Sequence, residues 1–387
     1  MIEIVQILRF SVFFLFFVPF FIFGIYGLLL VYYRYNKKEY DEEKFSNNAI
    51  LKPTVSVITP THNENSVISK KIENLLASNY PKQKIELIFV DDSTDSTPDI
   101  IHDYSERFSN IHLIRFNERM GYSPCMFAGV KIAKGDIVVL SDAGSFHEND
   151  TINKLVRNFQ NPKIGAVTGN DIILNVDESV GSSENFYQKL YNFMRIAETN
   201  MDSTFYFKGE ASAVRRSLIT DLEQCGATFD TATALLVRKK GFRAVFDPEA
   251  KFHEYAPGTR KGRIQQKTIR GANLIKILLR FKSMIFNRNY GKFGLFILPA
   301  NLGMLVITPI AILLGFSSLI ALTFFDPFLS MTLWGLICII SILSLVVSKH
   351  LLRTFIDFEI SLLRAIYEII FTKRKHDQID TIQSTRR

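Results

Sequence analysis

Hydrophobic and polar positions divide the chain into apolar ends and an alternating middle. Phe10 to Tyr33 carries no charge over 24 positions and is mostly Phe, Leu, Val and Ile, long enough to span a bilayer. A cleaved signal peptide fits it less well, because the apolar core is too long and no small-residue cleavage site follows. Phe293 to Phe325 is a second uncharged run of 33 residues and Pro327 to Ser348 a third of 22. Asp326-Pro327 reads as the turn of a helical hairpin, with tilt, a kink at Pro309 or an interfacial first turn absorbing the extra length. Arg34, Lys37 and Lys38 follow the first run, and Lys349, Arg353, Arg364 and Lys373–Lys375 follow the third. The positive-inside rule then predicts three spans, the N-terminus outside, and the middle and C-terminus in the cytoplasm. Tyr32, Tyr33 and Tyr35 suit the interface. Leu351 to Phe371 is apolar but interrupted by Arg353, Asp357, Glu359, Arg364 and Glu368, so it reads as interfacial or packed.

The middle changes period. Val55–Thr59 is a β-branched apolar run, read as a buried strand that Pro60 stops, with Thr61-His62-Asn63-Glu64 as a polar tip. Val67, Ile68, Ile72, Leu75 and Leu76 share a helical face, and Pro81 breaks that helix. Ile85–Val90 is a second strand ending at Asp91-Asp92. This is a βαβ unit with acids at the carboxyl ends of its strands, where open α/β sheets bind ligands. Ile111–Ile114 and Ile137–Leu140 read as further strands, the latter ending at Ser141-Asp142-Ala143-Gly144-Ser145, a third acidic strand end. Helices are predicted over Ser123–Ala133, Ile152–Phe159, Asn185–Thr199 and Thr231–Lys240, and strands at Gly165–Gly169 and, as an edge, Gly241–Pro248. Leu274 to Asn289 alternates apolar residues with Lys276, Arg280, Lys282 and Arg288, the pattern of a basic helix lying on a membrane surface.

Three acidic strand ends bound the chemistry. Asp95, Ser96 and Thr97 read as caps of the following helix. Asp92 and Glu64, at adjacent strand ends, read as acceptors for a base or ribose. Asp142 reads as a ligand for magnesium or manganese with substrate oxygens, its competing role being a cap.

Taken together, TPTHNE, its spacing to VDDSTDST, SDAGS and FDTATALLVRKKGFR resemble the membrane-bound family 2 inverting glycosyltransferases, which include cellulose and hyaluronan synthases and dolichyl-phosphate sugar synthases. The resemblance covers about residues 52–279. It implies an α/β fold of the GT-A type, a mixed, mostly parallel sheet flanked by helices, binding a nucleotide-diphosphate sugar. On matching positions it implies Pro60, Thr61, Glu64, Asp92 and Asp142 around the nucleotide sugar. Gly209, in a loop that approaches donor and acceptor, and Arg270 fall near the diphosphate and acceptor, and Asp142 binds Mg2+ or Mn2+. Asp230, eleven residues before Gly241, falls where the family has its general base. The chain departs from the pattern at four places. Gly144 stands for the second acid of Asp-x-Asp, with His147 and Glu148 as candidate substitutes. Tyr122 stands for a common Lys, Phe229 for the Glu before the base, and Gln266–Arg270 matches Gln-x-x-Arg-Trp only in part.

The expected organisation is an N-terminal transmembrane helix (1–36), a linker (38–51), a cytoplasmic catalytic domain (52–273), an interfacial helix (274–292), a transmembrane hairpin (293–348) and a C-terminal helix and tail (349–387). Mean hydropathy of +0.11 agrees with an integral membrane protein. Three widely spaced cysteines (Cys125, Cys225, Cys338) argue against a disulfide framework or zinc site and are compatible with a reducing compartment. Beside apolar spans, the net charge of +8 points to membrane lipids and phosphorylated substrates and away from nucleic acid. Three spans are too few to enclose a polysaccharide channel in one chain, so a processive synthase would require an oligomer. A lipid-linked acceptor, polyprenyl-phosphate or lipid-linked glycan, is the expectation. The reading from another class is a non-catalytic nucleotide-sugar-binding scaffold, supported by Gly144 and opposed by Asp230.

Overall fold

The computed structural model describes residues 2–36, 52–176, 179–219, 229–348 and 350–372. The expected linker, Cys225 and the basic stretch from Lys373 onward lie outside these residues. The chain begins with one long helix, α1 (Ile2–Tyr35). The middle builds an eight-stranded mixed sheet from β1 (Val55–Thr61), β2 (Ile85–Asp91), β3 (Ile111–Arg115), β4 (Ile137–Ser141), β5 (Phe146–His147), β6 (Ile164–Ile173), β7 (Ala211–Arg215) and β8 (Arg243–Glu254). Its order is β3-β2-β1-β4-β7-β6-β8-β5. The first four strands run parallel, β7 is antiparallel to β4 and β6, and β8 runs parallel to β6.

This order has a switch point. The chain leaves β1 for β2 and β3 on one side, then returns to place β4 on the other. β1 pairs with β2 through Thr61↔Asp91 but with β4 only through Ile58↔Leu140, so the sheet parts beyond Ile58. A crevice opens at such a place. The same divergence corrects the expected stop at Pro60. Beyond Ile58 one side of β1 is an edge, where the missing N–H of Pro60 has no ladder bond to lose, and the strand runs on to Thr61.

Helices α2 (Ile68–Leu76), α3 (Thr97–Arg107) and α5 (Thr151–Arg157) cover one face with Ile68, Ile72, Ile101 and Leu155. The other face is covered by α4 (Tyr122–Ile132), α6 (Ser179–Met201), α7 (Phe229–Lys239) and α8 (Arg260–Arg280), through Cys125, Met126, Leu235 and Leu278. Of the three expected caps of α3 only Asp95 bonds its first turn, its Oδ1 accepting from the backbone N–H of Thr97 at 2.9 Å; Ser96, at the N-cap, makes no side-chain cap bond, and the Thr97 hydroxyl accepts from the Glu64 N–H instead. β8 is longer than expected and is not an edge, because β5 pairs beyond it.

Three helices are long and apolar enough to cross a membrane among the described residues: α1, α9 (Phe293–Phe325) and α10 (Pro327–Val347). Two wide π-helical turns, Phe293–Ile297 and Gly303–Ile307, interrupt α9, each just before a proline, Pro299 or Pro309, that cannot complete the α-helical ladder. At the end remote from the sheet Arg9 pairs with Asp326 at 2.6 Å. At the near end the Tyr26 hydroxyl donates to Glu198 of α6 at 2.6 Å, and Asn301 approaches the same carboxylate at 3.3 Å. A separate helix over residues 274–292 does not form. Leu274, Ile275, Ile277 and Leu278 are the buried end of α8, packed in one core with Phe293, Leu298 and Leu362. Lys276, Arg280, Lys282 and Arg288 remain exposed along that side. α11 (Leu351–Phe371) packs on α8, where Asp357 pairs with Arg260 at 2.5 Å and Arg263 at 2.9 Å.

Candidate functional site

The crevice beyond Ile58 deepens into a cavity of about 280 Å³ walled by β-strand ends, α4, α7 and α8. Six carboxylates line it, Glu64, Asp92, Asp142, Glu210, Asp230 and Glu254, against three basic side chains, Arg119, Lys208 and Arg270. All eight residues expected around substrate border this one cavity: Pro60, Thr61, Glu64, Asp92, Asp142, Gly209, Asp230 and Arg270.

The chain itself satisfies the first acids. Asp92 Oδ1 lies 2.8 Å from His62 Nδ1, and its Oδ2 accepts from the backbone N–H groups of Met120 and Gly121 at 2.8 Å each. It therefore fixes the loop that brings Arg119 and Tyr122 to the cavity. Gly121, at φ 89°, makes the turn into α4. The Thr61 hydroxyl donates to Asp91 at 2.6 Å, and the Glu64 backbone N–H donates to Thr97 Oγ1 at 2.8 Å.

Asp230 sits in the first turn of α7. Its Oδ1 accepts from the Thr231 N–H at 2.7 Å, and burial raises its pKa to about 6, opposed by that bond. The preceding residue expected to be acidic, Phe229, is buried edge-on against Phe127 at 5.3 Å between centroids. Gly209 is required by contact: a Cβ there would lie 2.6 Å from the Tyr122 hydroxyl and 3.6 Å from Asp230 Oδ2. Tyr122, where a lysine is common in the family, is driven well above its ordinary pKa by burial and then by Asp142, Asp230 and Glu210.

A charged chain runs behind this floor. Lys208 Nζ lies 3.1 Å from Asp171 and 3.5 Å from Glu254, and Arg270 Nη2 lies 3.1 Å from Glu210. Burial alone would lower Lys208, but Asp171 and then Glu254 outweigh it and hold it protonated. Burial raises Glu254 to about 7, Lys208 opposing. Sequence reasoning left Lys208, Glu210 and Tyr206 unassigned. Asp171, Lys208 and Glu254 are far apart along the chain; the β6–β8 register, Asp171↔Phe252 and Ile173↔Glu254, brings the two acids together, and the β6–β7 pairing with the Lys208 N–H donating to Thr168 Oγ1 at 3.0 Å brings in the lysine.

The proposed substitutes for the missing acid at Gly144 do not reach the cavity. His147 belongs to β5, and its Nε2 is 2.8 Å from the Glu210 carbonyl oxygen. Burial and then Lys71 lower it to about 3, so it is a neutral imidazole with its proton on Nε2. Glu148 and His253 face each other at 3.7 Å, away from the cavity. Among the described residues no three His, Cys, Asp or Glu side chains form a ready-made cation cage. A hard cation here would be held through one or two carboxylates together with phosphate oxygens and water.

Residues 56–246 match the family described as glycosyl transferase family 2. A probable glycosyltransferase, YdaM, of Bacillus subtilis is 28% identical over 268 residues, covering 65% of this chain and 62% of that protein. The poly-beta-1,6-N-acetyl-D-glucosamine synthase of Staphylococcus aureus is 26% identical over 231 residues, covering 58% of this chain and 56% of that one. The match thus spans about three fifths of these relatives' length. A solved mannosyltransferase of Pyrobaculum calidifontis, in complex with GDP-Man and Mn2+, superimposes with a TM-score of 0.73 over 93% of this chain and 100% of its own, at 23% identity. That likeness shows the fold, a GT-A-like mixed sheet flanked by helices. Residues 56–246 are thus a domain of the glycosyl transferase family 2 type.

Proposed function

We propose that this protein is a membrane-anchored inverting glycosyltransferase that moves a hexose from a nucleotide-diphosphate sugar to a lipid-linked acceptor at the cytoplasmic face. The observation that carries the reading is Asp230. It is a carboxylate raised to about 6, at the end of a cavity that also holds acids from three parallel strand ends. Such a group is ionised at neutral pH yet basic enough to take a hydroxyl proton in the transition state. In this reading Pro60, Thr61, Glu64 and the loop fixed by Asp92 receive the nucleoside. Arg270 and Arg119 face the diphosphate, and Gly209 leaves room for the sugar. The cavity's excess of carboxylates would repel a diphosphate, and bound Mg2+ or Mn2+ at Asp142 would supply the charge that offsets this repulsion and stabilises the leaving group. Inversion follows from one base and one in-line displacement.

The acceptor reading rests on where the cavity opens. Gln266, Arg270, Asn273 and Leu274 of α8 line it, and the same helix ends against Phe293 and Leu298 at the base of α9. A polyprenyl phosphate or lipid-linked glycan in the bilayer would present its polar end beside α8. The relatives named polysaccharide synthases favour a second reading, processive transfer by an oligomer. Purified protein in lipid nanodiscs, given a panel of nucleotide sugars with polyprenyl phosphate, should release nucleoside diphosphate and form one glycolipid. A ladder of long polysaccharide would favour the processive reading. Donor binding without transfer or hydrolysis would favour a scaffold.

A further inference from the structure

Gly144 leaves the third strand end one acid short, and the sheet places another opposite. β4 and β7 are antiparallel, with Leu140↔Ser212 and Ser141↔Ala211 as their last rungs. The same register carried one residue past the last rung sets Asp142 opposite Glu210. Directly opposed residues hold their Cβ atoms about 4.5–5.5 Å apart, near enough for two carboxylates to share one cation. Ser145 ties the two ends together, its hydroxyl lying 3.2 Å from the Asp142 carbonyl oxygen and 3.4 Å from that of Glu210. Both acids border the cavity.

The surroundings fit a hard cation. Arg270 engages Oε1 of Glu210, the one side-chain oxygen of that residue with a hydrogen bond among the described residues. The Tyr122 hydroxyl is buried without a hydrogen-bond partner of acceptable geometry, although Asp142 approaches it and both Asp230 and Glu210 act on it. A buried phenolic oxygen beside two carboxyl groups is a donor set that magnesium and manganese take.

We propose that Glu210 supplies the second carboxylate of a divalent-cation site with Asp142, replacing across the β4–β7 pair the acid that Gly144 lacks. The inference rests on the nucleotide-sugar reading for its purpose but not for its test. Mn2+ alone is titrated into the full chain in detergent, with Cys338→Ser to remove the exposed thiol, and free Mn2+ is read by electron paramagnetic resonance. Glu210→Gln should weaken Mn2+ binding by about tenfold or more, and Gly144→Asp added to it should restore most of that loss. Glu148→Gln should change nothing. Arg270→Gln should leave Mn2+ binding equal or tighter, since it removes a cation 3.1 Å from Glu210; an equal weakening there would mean that Glu210 acts only by holding Arg270, and would overturn the proposal. Glu210→Cys should raise the ratio of Cd2+ to Mn2+ affinity by about tenfold, because thiolate prefers the softer ion. Unchanged Mn2+ affinity in folded Glu210→Gln, or an unchanged ratio in Glu210→Cys, overturns it as well. Displacement of a fluorescent nucleoside diphosphate is measured separately. Its failure beside intact Mn2+ binding would sink the donor reading and leave the cation pair standing.

Discussion

Asp230→Asn should change the pH dependence of stability in a direction opposite to that of an ordinary ion pair. The folded protein holds the Asp230 proton up to about pH 6, against an ordinary 3.8, burial being the main cause. Between those values the native state binds more protons than the unfolded chain, so stability falls as pH rises and stays lower above pH 6. The full shift corresponds to about 3 kcal/mol. Asp230 keeps part of its surface toward the cavity, where water screens it, and this reduces the figure to about 1–1.5 kcal/mol. Asn carries no such charge. It still accepts from the Thr231 N–H, and any hydrogen bond it loses costs the same at every pH. The gap in melting temperature between variant and wild type, followed in detergent by intrinsic fluorescence, should therefore move in the variant's favour by about 2–4 °C between pH 4 and pH 8. A gap that is flat with pH, or that moves the other way, would refute the reading of Asp230 as a buried, strained carboxylate.

Other expectations follow from the same geometry. Asp92→Ala should weaken nucleotide-sugar binding and lower stability by about 1–3 kcal/mol, because it strands the N–H groups of Met120 and Gly121; calorimetry and melting report the two effects. Gly209→Ala should slow transfer while leaving the fold intact, since its Cβ would displace the Tyr122 hydroxyl from 2.6 Å; wild-type turnover would contradict this. In intact cells Phe328→Cys, at the Asp326 turn, should react with an impermeant thiol reagent and Arg288→Cys should not, both measured without Cys338; the reverse pattern would invert the proposed topology.

Much of this was legible in the sequence where the signal is local. Uninterrupted apolar runs found α1, α9 and α10, and β-branched runs ending in acids found the strands of the parallel half together with Glu64, Asp92 and Asp142. Asp230 is legible only through the family resemblance, which its distance from Gly241 carries. What stayed hidden depends on pairing between distant segments. Glu210 comes to the same sheet end as Asp142 only because β7 runs antiparallel beside β4, and Lys208 meets Asp171 and Glu254 only through the pairing of β6 with both β7 and β8. The basic pattern from Leu274 to Asn289 looked like a surface helix because its apolar positions match both a bilayer and a protein core. Tertiary contacts with Phe293 and Leu362 decided for the core.

The central claim is that Asp230 takes the proton of the attacked hydroxyl, and single-turnover transfer from a radiolabelled nucleotide sugar to a polyprenyl phosphate tests it most directly. Wild-type transfer should rise with pH through about 6 and then level off. Asp230→Asn should bind donor with unchanged affinity and transfer at least about a hundredfold more slowly at pH 8. Near-normal transfer by the folded variant would contradict the account and move the base to Glu254, the other cavity carboxylate raised into the working range.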